Sequence, residues 1–128
     1  MTSQPQRQRP EIDFPEGPPP QDLQIVDEVV GEGSEAKAGM NVRAHYVGVA
    51  YSTGEEFDAS WNRGQPLDFR LGVGQVIPGW DQGIQGMRVG GRRRLTIPAR
   101  LASGDRGAGG LLRPGETLIF VVDLVDAR

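Results

Sequence analysis

The chain has 128 residues and weighs 13.9 kDa, which suits one domain rather than two. Nineteen glycines and ten prolines exclude a long helical bundle, while 24% charged residues and a net charge of −3 argue against disorder throughout. There is no cysteine and a single histidine, so disulfides, thiolate chemistry and multi-histidine metal sites drop out, and a pI near 5.1 offers nucleic acid no general attraction.

In chain order, residues 1–22 come first, with six of the ten prolines. Ile12 and Phe14 are their only larger apolar residues after Met1, too little apolar surface to offset ordering entropy. An unstructured leader with polyproline II character near its end is expected, followed by a domain over residues 23–128. Leu23, Ile25, Val29 and Val30 mark a first strand, closed by the Gly31–Gly33 turn. From Val42 to Tyr51 the alternation runs through Ala44, Tyr46 and Gly48, and Ser52-Thr53-Gly54 supplies a hairpin turn. Leu67, Phe69 and Leu71 share one face of a further strand, and Leu95 and Ile97 share a face of another. The last run, Thr117 to Val125, is apolar on both faces and suits a central strand.

One segment breaks the period of two. Trp80, Ile84 and Met87 recur at helical spacing, with Pro78 suited to a first helical position and Asp81 near the positive end of the dipole. Gly90 suits the left-handed position that ends a helix. Gly83 and Gly86 would weaken an isolated helix, so this one depends on close packing against a sheet. The predicted architecture is α+β, an antiparallel sheet around one short helix.

Standard catalytic motifs are absent: no nucleophile elbow, phosphate loop or zinc-protease motif occurs. Arg88, Arg92, Arg93 and Arg94 read as a solvated face, and His45 as an outward strand residue. Eight aromatics remain, and Tyr46, Phe57, Phe69, Trp80 and Phe120 fall one on each of five elements. They are either plain core or the walls of an apolar pocket.

The motifs His45-Tyr-Val-Gly48, Gly54-Glu-Glu-Phe-Asp-Ala-Ser60 and Leu71-Gly-Val-Gly-Gln-Val-Ile-Pro-Gly-Trp-Asp-Gln-Gly-Ile84 follow one another at characteristic spacing. Gly86-Met-Arg-Val-Gly-Gly-Arg-Arg93, Leu95-Thr-Ile97 and Thr117-Leu-Ile-Phe120 complete the series. From Leu23 onward the chain resembles the tacrolimus- and rapamycin-binding immunophilins, the FKBP-type peptidyl-prolyl cis–trans isomerases. The resemblance implies a five- to six-stranded antiparallel sheet wrapped around a short helix, in a monomer without metal or cofactor; with no apolar run of membrane length and no basic-then-apolar leader, a cytoplasmic address is the default expectation. The resemblance also implies proline-containing peptides and proteins as substrates and macrolides as ligands; the acidic pI and the lack of a membrane-length apolar run leave neither nucleic acid nor membrane expected as a partner.

Carried over residue by residue, Trp80 is the pocket floor and Tyr46, Phe57, Val76, Ile77, Leu111, Leu112 and Phe120 are its walls. Asp58 and Arg63 fall on the family's polar edge, and the Ile77 backbone N–H on a donor to a ligand carbonyl. Asp58 either supports substrate orientation or makes a structural salt bridge. Three positions depart: Leu67 replaces an aromatic, Ala108 a histidine common in some members, and Ser103 a tyrosine whose hydroxyl bonds a ligand carbonyl. Gly104 fixes the Ser103 register. The resemblance therefore implies reduced but retained isomerase activity and a larger loss of macrolide affinity. The alternative is a pocket that binds proline motifs without turnover.

Overall fold

The computed structural model describes residues 8–13, 15–102 and 112–128. Among the described residues six strands form one sheet: β1 (Gln24–Val29), β2 (Asn41–Ala50), β3 (Glu56–Ala59), β4 (Leu67–Arg70), β5 (Arg92–Ile97) and β6 (Leu118–Ala127). Their order is β1-β5-β6-β2-β3, with β4 also paired to β2, and all pairings are antiparallel. A 3₁₀ turn, η1 (Ser60–Arg63), follows β3; the α-helix α1 (Pro78–Gly83) precedes β5, and η2 (Ala99–Leu101) follows it. No helix among the described residues is long and apolar enough to cross a membrane.

The two ten-residue strands, β2 and β6, make the spine, paired from Ala50↔Leu118 to Val42↔Ala127 with one bulge at Arg43/Ala44. β6 lies between β5 and β2, so neither edge is open, and its faces pack into the main core and the outer cluster, leaving seven consecutive residues from Leu118 buried. Period-two alternation sends Ala44, Tyr46, Phe120, Val122 and Leu95 into a core shared with Trp80, Ile84 and Met87. On the opposite face Val47, Val49, Ala59 and Ile119 form a smaller cluster, joined by Tyr51, Trp61 and Ile12.

The helix is shorter than its spacing predicts. Pro78 does occupy the first turn, but α1 ends at Gly83 with Ile84 as C-cap. Gly86 then turns the chain at φ +91°, so Met87 is buried from outside the helix, and Gly90 serves a later turn. Both termini of α1 are held from outside. The Asp81 carboxylate accepts the N–H groups of Gly72 and Gly74 at 2.8 Å each, fixing the loop that leads to Val76 and Ile77. At the other end Arg93 donates to the carbonyls of Gly83 at 2.8 Å and Gln85 at 3.0 Å.

Helix and sheet touch through glycine. A Cβ on Gly79 would lie 2.5 Å from Ile97 Cγ2, and one on Gly83 2.8 Å from Leu95 Cδ2. Ile97 is fully buried and stiff at its branched Cβ, so it has nowhere to retreat. Alanine would add about 1 kcal/mol of helix propensity, yet overpacking costs about 1–3 kcal/mol. Gly79→Ala is therefore expected to lower the thermal midpoint and Gly83→Ala to lower it less, because leucine can rotate. Calorimetry showing Gly79→Ala as stable as the parent would mean that the helix is free to move off the sheet.

Two expectations need correction. Arg92 and Arg93 are not a solvated face: their side chains are only 16% and 11% exposed, and they pair with Asp123 at 2.7 Å and Asp27 at 2.6 Å. Arg93 points inward because its register partner Asp27 and the helix carbonyls give its guanidinium a full set of acceptors. The stretch expected to be an unstructured leader also makes specific contacts from Gln8 onward. Pro10 is buried, Ile12 packs on the outer cluster, and the Tyr51 hydroxyl lies 3.0 Å from the Glu16 carbonyl oxygen. The apolar outer face of β2 and β6 gives these few residues a surface on which to order.

Candidate active site

An open cleft of about 430 Å³ lies where β2 and β6 cross the start of α1. Of the residues carried over from the resemblance, Tyr46, Asp58, Val76, Ile77, Trp80 and Phe120 line it, together with Gly74 and Gln75, which the sequence did not single out. Trp80, the third residue of α1, lies in the first helical turn that Pro78 opens and stands between the cleft and the core. It is 4% exposed and packs against Tyr46, Phe120 and Phe69 at ring separations of 4.9, 5.2 and 5.5 Å. Edge-to-face geometry between Trp80 and both Tyr46 and Phe120 suits the charge distribution of aromatic rings. The buried Trp80 indole N–H has no acceptor among the described residues.

Phe57 stands behind the lining, edge-on to Phe120 at 5.5 Å. Gly48 makes room for the pair: a Cβ there would lie 2.6 Å from Phe120 and 2.8 Å from Phe57. Leu67 packs partly buried against the core and Leu112 is buried within it, and neither lines the cleft. Ser103, Ala108 and Leu111 lie outside the described residues. The Ile77 backbone N–H donates to no group among the described residues, while the Ile77 carbonyl accepts from the N–H groups of Trp80 and Asp81.

The polar edge is a closed triad. The Tyr46 hydroxyl donates to Asp58 Oδ2 at 2.6 Å, Arg63 Nη1 donates to Asp58 Oδ1 at 2.9 Å, and Arg63 Nη2 donates to the Tyr46 oxygen at 2.7 Å. The Arg63 guanidinium also lies 5.7 Å from the centre of the Tyr46 ring. Burial pushes the Asp58 carboxyl up, but the Tyr46 and Arg63 hydrogen bonds and the Arg63 charge outweigh it and leave it below the ordinary carboxylate value. Burial, then the bond to Asp58, raises the Tyr46 phenol, so it keeps its proton. The triad can orient a substrate; it holds no base poised to take a proton.

His45 plays no part in the cleft. It stacks on Trp61 at 4.1 Å and its Nδ1 lies 2.8 Å from Ser60 Oγ, which also accepts the Tyr46 N–H at 2.7 Å. Burial lowers its pKa against the opposing influence of Asp123.

A six-stranded antiparallel sheet over one short helix, with an aromatic cleft at the helix start, defines the FKBP-type fold. The family model described as FKBP-type peptidyl-prolyl cis-trans isomerase matches residues 32–125, and the chain belongs to that family. It is 70% identical over 119 residues to an FK506-binding protein of Streptomyces anulatus, covering 92% of this chain and 96% of that one. A probable FK506-binding protein of Corynebacterium glutamicum is 53% identical over 120 residues, with 94% and 99% covered. Among solved structures, the crystal structure of AtFKBP13 is similar at a TM-score of 0.77 and 47% identity, covering 83% of this chain and 93% of that chain.

Proposed function

We propose that this chain accelerates rotation about X–Pro bonds in peptides and folding proteins, as a monomer, and that the same cleft accepts macrolides such as tacrolimus or rapamycin. The observation that carries this reading is the aromatic cleft floored by Trp80 and edged by the Tyr46–Asp58–Arg63 triad. Amide resonance sets a barrier of about 18–20 kcal/mol to X–Pro rotation, and no bond must form or break to cross it. A catalyst needs only to bind the twisted amide better than either planar form. At the twisted geometry resonance is lost and the carbonyl is less polar, so moving it from water into an apolar site costs that state less. The prolyl ring stacks on Trp80, Tyr46 and Phe120 exclude water, and the Ile77 N–H is placed to bond a neighbouring substrate carbonyl. Lowering the barrier by about 5–6 kcal/mol would give about 10⁴-fold acceleration.

Macrolide binding rests on the names of the two bacterial relatives and on the shape of the cleft. Ser103, in place of the family's tyrosine, favours the alternative of proline-motif binding without turnover. A proline-limited peptide isomerisation assay, with and without rapamycin, separates the two. The expected result is acceleration suppressed by excess rapamycin. Uncatalysed rates at micromolar protein, with rapamycin still bound, would favour the binding module.

A further inference from the structure

The N-terminal segment reaches the back of the least supported element of the site. β3 joins the sheet through three residue pairs with β2, Val47↔Ala59, Gly48↔Asp58 and Val49↔Glu56, and the register shifts among them. It is an edge strand, with β2 as its sole strand neighbour among the described residues. Yet β3 and η1 carry Phe57, Asp58 and Arg63. Besides the ladder, the Ser60 hydroxyl on the Tyr46 N–H and the His45–Trp61 stack tie η1 to β2, while β3 and η1 are joined to each other on the outer side.

Arg9 adds a further tie there, bridging β3 and η1. Its guanidinium donates to Asn62 Oδ1 at 2.7 Å and pairs with the Glu56 carboxylate, and Asn62 Nδ2 donates to Glu56 Oε2 at 3.1 Å. Glu56 opens β3 and Asn62 lies within η1, so this ring of contacts spans the residues between which Asp58 sits. Arg9 is itself anchored on either side. The Gln8 carbonyl accepts from Arg92 Nη2 at 2.5 Å, Pro10 is buried, and Ile12 packs with Val47, Val49, Ala59 and Ile119.

We infer that Arg9 is a positioning residue of the isomerase site, clamping β3 to η1 so that Asp58 and Arg63 stay in place beside Tyr46. The inference rests on the isomerase reading above. An ion pair this exposed, at 38% and 33% for its two side chains, contributes little to global stability. An edge strand, however, opens locally at low free energy, so a modest clamp shows there first.

The test compares Arg9→Ala, Arg9→Lys, Glu56→Gln and the Arg9→Ala/Glu56→Gln double variant by amide hydrogen exchange and by kcat/KM. Arg9→Ala is expected to speed exchange of the β3 amides about two- to fivefold, the range for one exposed ion pair, without changing β5 and β6. It should lower kcat/KM by a similar factor. Arg9→Lys should fall between, since an ammonium pairs with Glu56 but cannot fork to Asn62 as well. Arg9→Ala should have a smaller effect in the Glu56→Gln background, where only its bond to Asn62 is left at full strength. Unchanged β3 exchange, equal acceleration at every amide, or β3-selective exchange with unaltered kcat/KM would each overturn the positioning role. Exchange is read without substrate, so an inactive parent protein would sink the isomerase reading while the clamp is still judged on exchange.

Discussion

Trp80→Ala is expected to lower kcat/KM for proline peptides by about 30- to 100-fold, or about 2–3 kcal/mol of transition-state binding. The indole is buried against three other rings and forms the floor on which a prolyl ring would lie. Removing it takes away the stacking face and admits water beneath the amide, and both losses fall on the twisted state. The same substitution opens a core cavity and should cost about 3–5 kcal/mol of stability. Those two effects must be separated. Trp80→Phe keeps a flat apolar face and much of the volume, so its kcat/KM should fall only a few-fold. Steady-state kinetics well below each variant's thermal midpoint, beside calorimetric titration with rapamycin, provide the comparison. If Trp80→Ala melted early but kept its kcat/KM while folded, the indole would be core and nothing more.

How far the sequence foretold this site depends on whether the deciding contacts are local. β2 and β6 were legible because ten-residue strands repeat their period often enough to be read, and the double apolar face of β6 marked it as central. β3 escaped periodicity: Glu56-Phe-Asp-Ala is four residues long, and although the aromatic count picked out Phe57, only the resemblance pointed to Asp58. The helix was placed correctly at Pro78 and Trp80 but drawn too long. Spacing at i, i+4 and i+7 records which residues are buried, and Met87 stays buried after the chain has left the helix at Ile84. Arg92 and Arg93 were misread because their partners, Asp123 and Asp27, stand 31 and 66 positions away. The contacts of residues 8–20 were illegible for a related reason. Composition describes a segment's own apolar content, whereas Ile12 depends on a face supplied by β2, β3 and β6. Gln75 and Gly74 entered the cleft lining through loop geometry that Asp81 fixes, a contact no local pattern announces.

Asp58→Asn separates orientation by the triad from a plain salt bridge. The carboxylate offers one oxygen to the Tyr46 hydroxyl and the other to Arg63. An amide offers a single oxygen, so either Tyr46 or Arg63 loses its acceptor and the arginine can face an N–H instead. With Asp58 and Arg63 43% and 50% exposed, water replaces much of what is lost, and the stability cost should stay within about 1 kcal/mol. The cost to turnover is larger, because Tyr46 and Asp58 both line the cleft; kcat/KM should fall about five- to tenfold, or about 1–1.4 kcal/mol. The pH dependence gives the sign. Asp58 is held below its ordinary value, about 3.9, so its contribution is complete above that value and is lost as pH falls through the lower folded one. Parental kcat/KM should therefore stay level from neutrality down to about pH 4 and decline only beneath it. In Asp58→Asn the neutral-pH rate is already reduced and the acid decline tied to this carboxyl disappears. A variant with full kcat/KM and a lowered thermal midpoint would assign the triad to structure alone, and the cleft would then work through its aromatic walls and the Ile77 N–H.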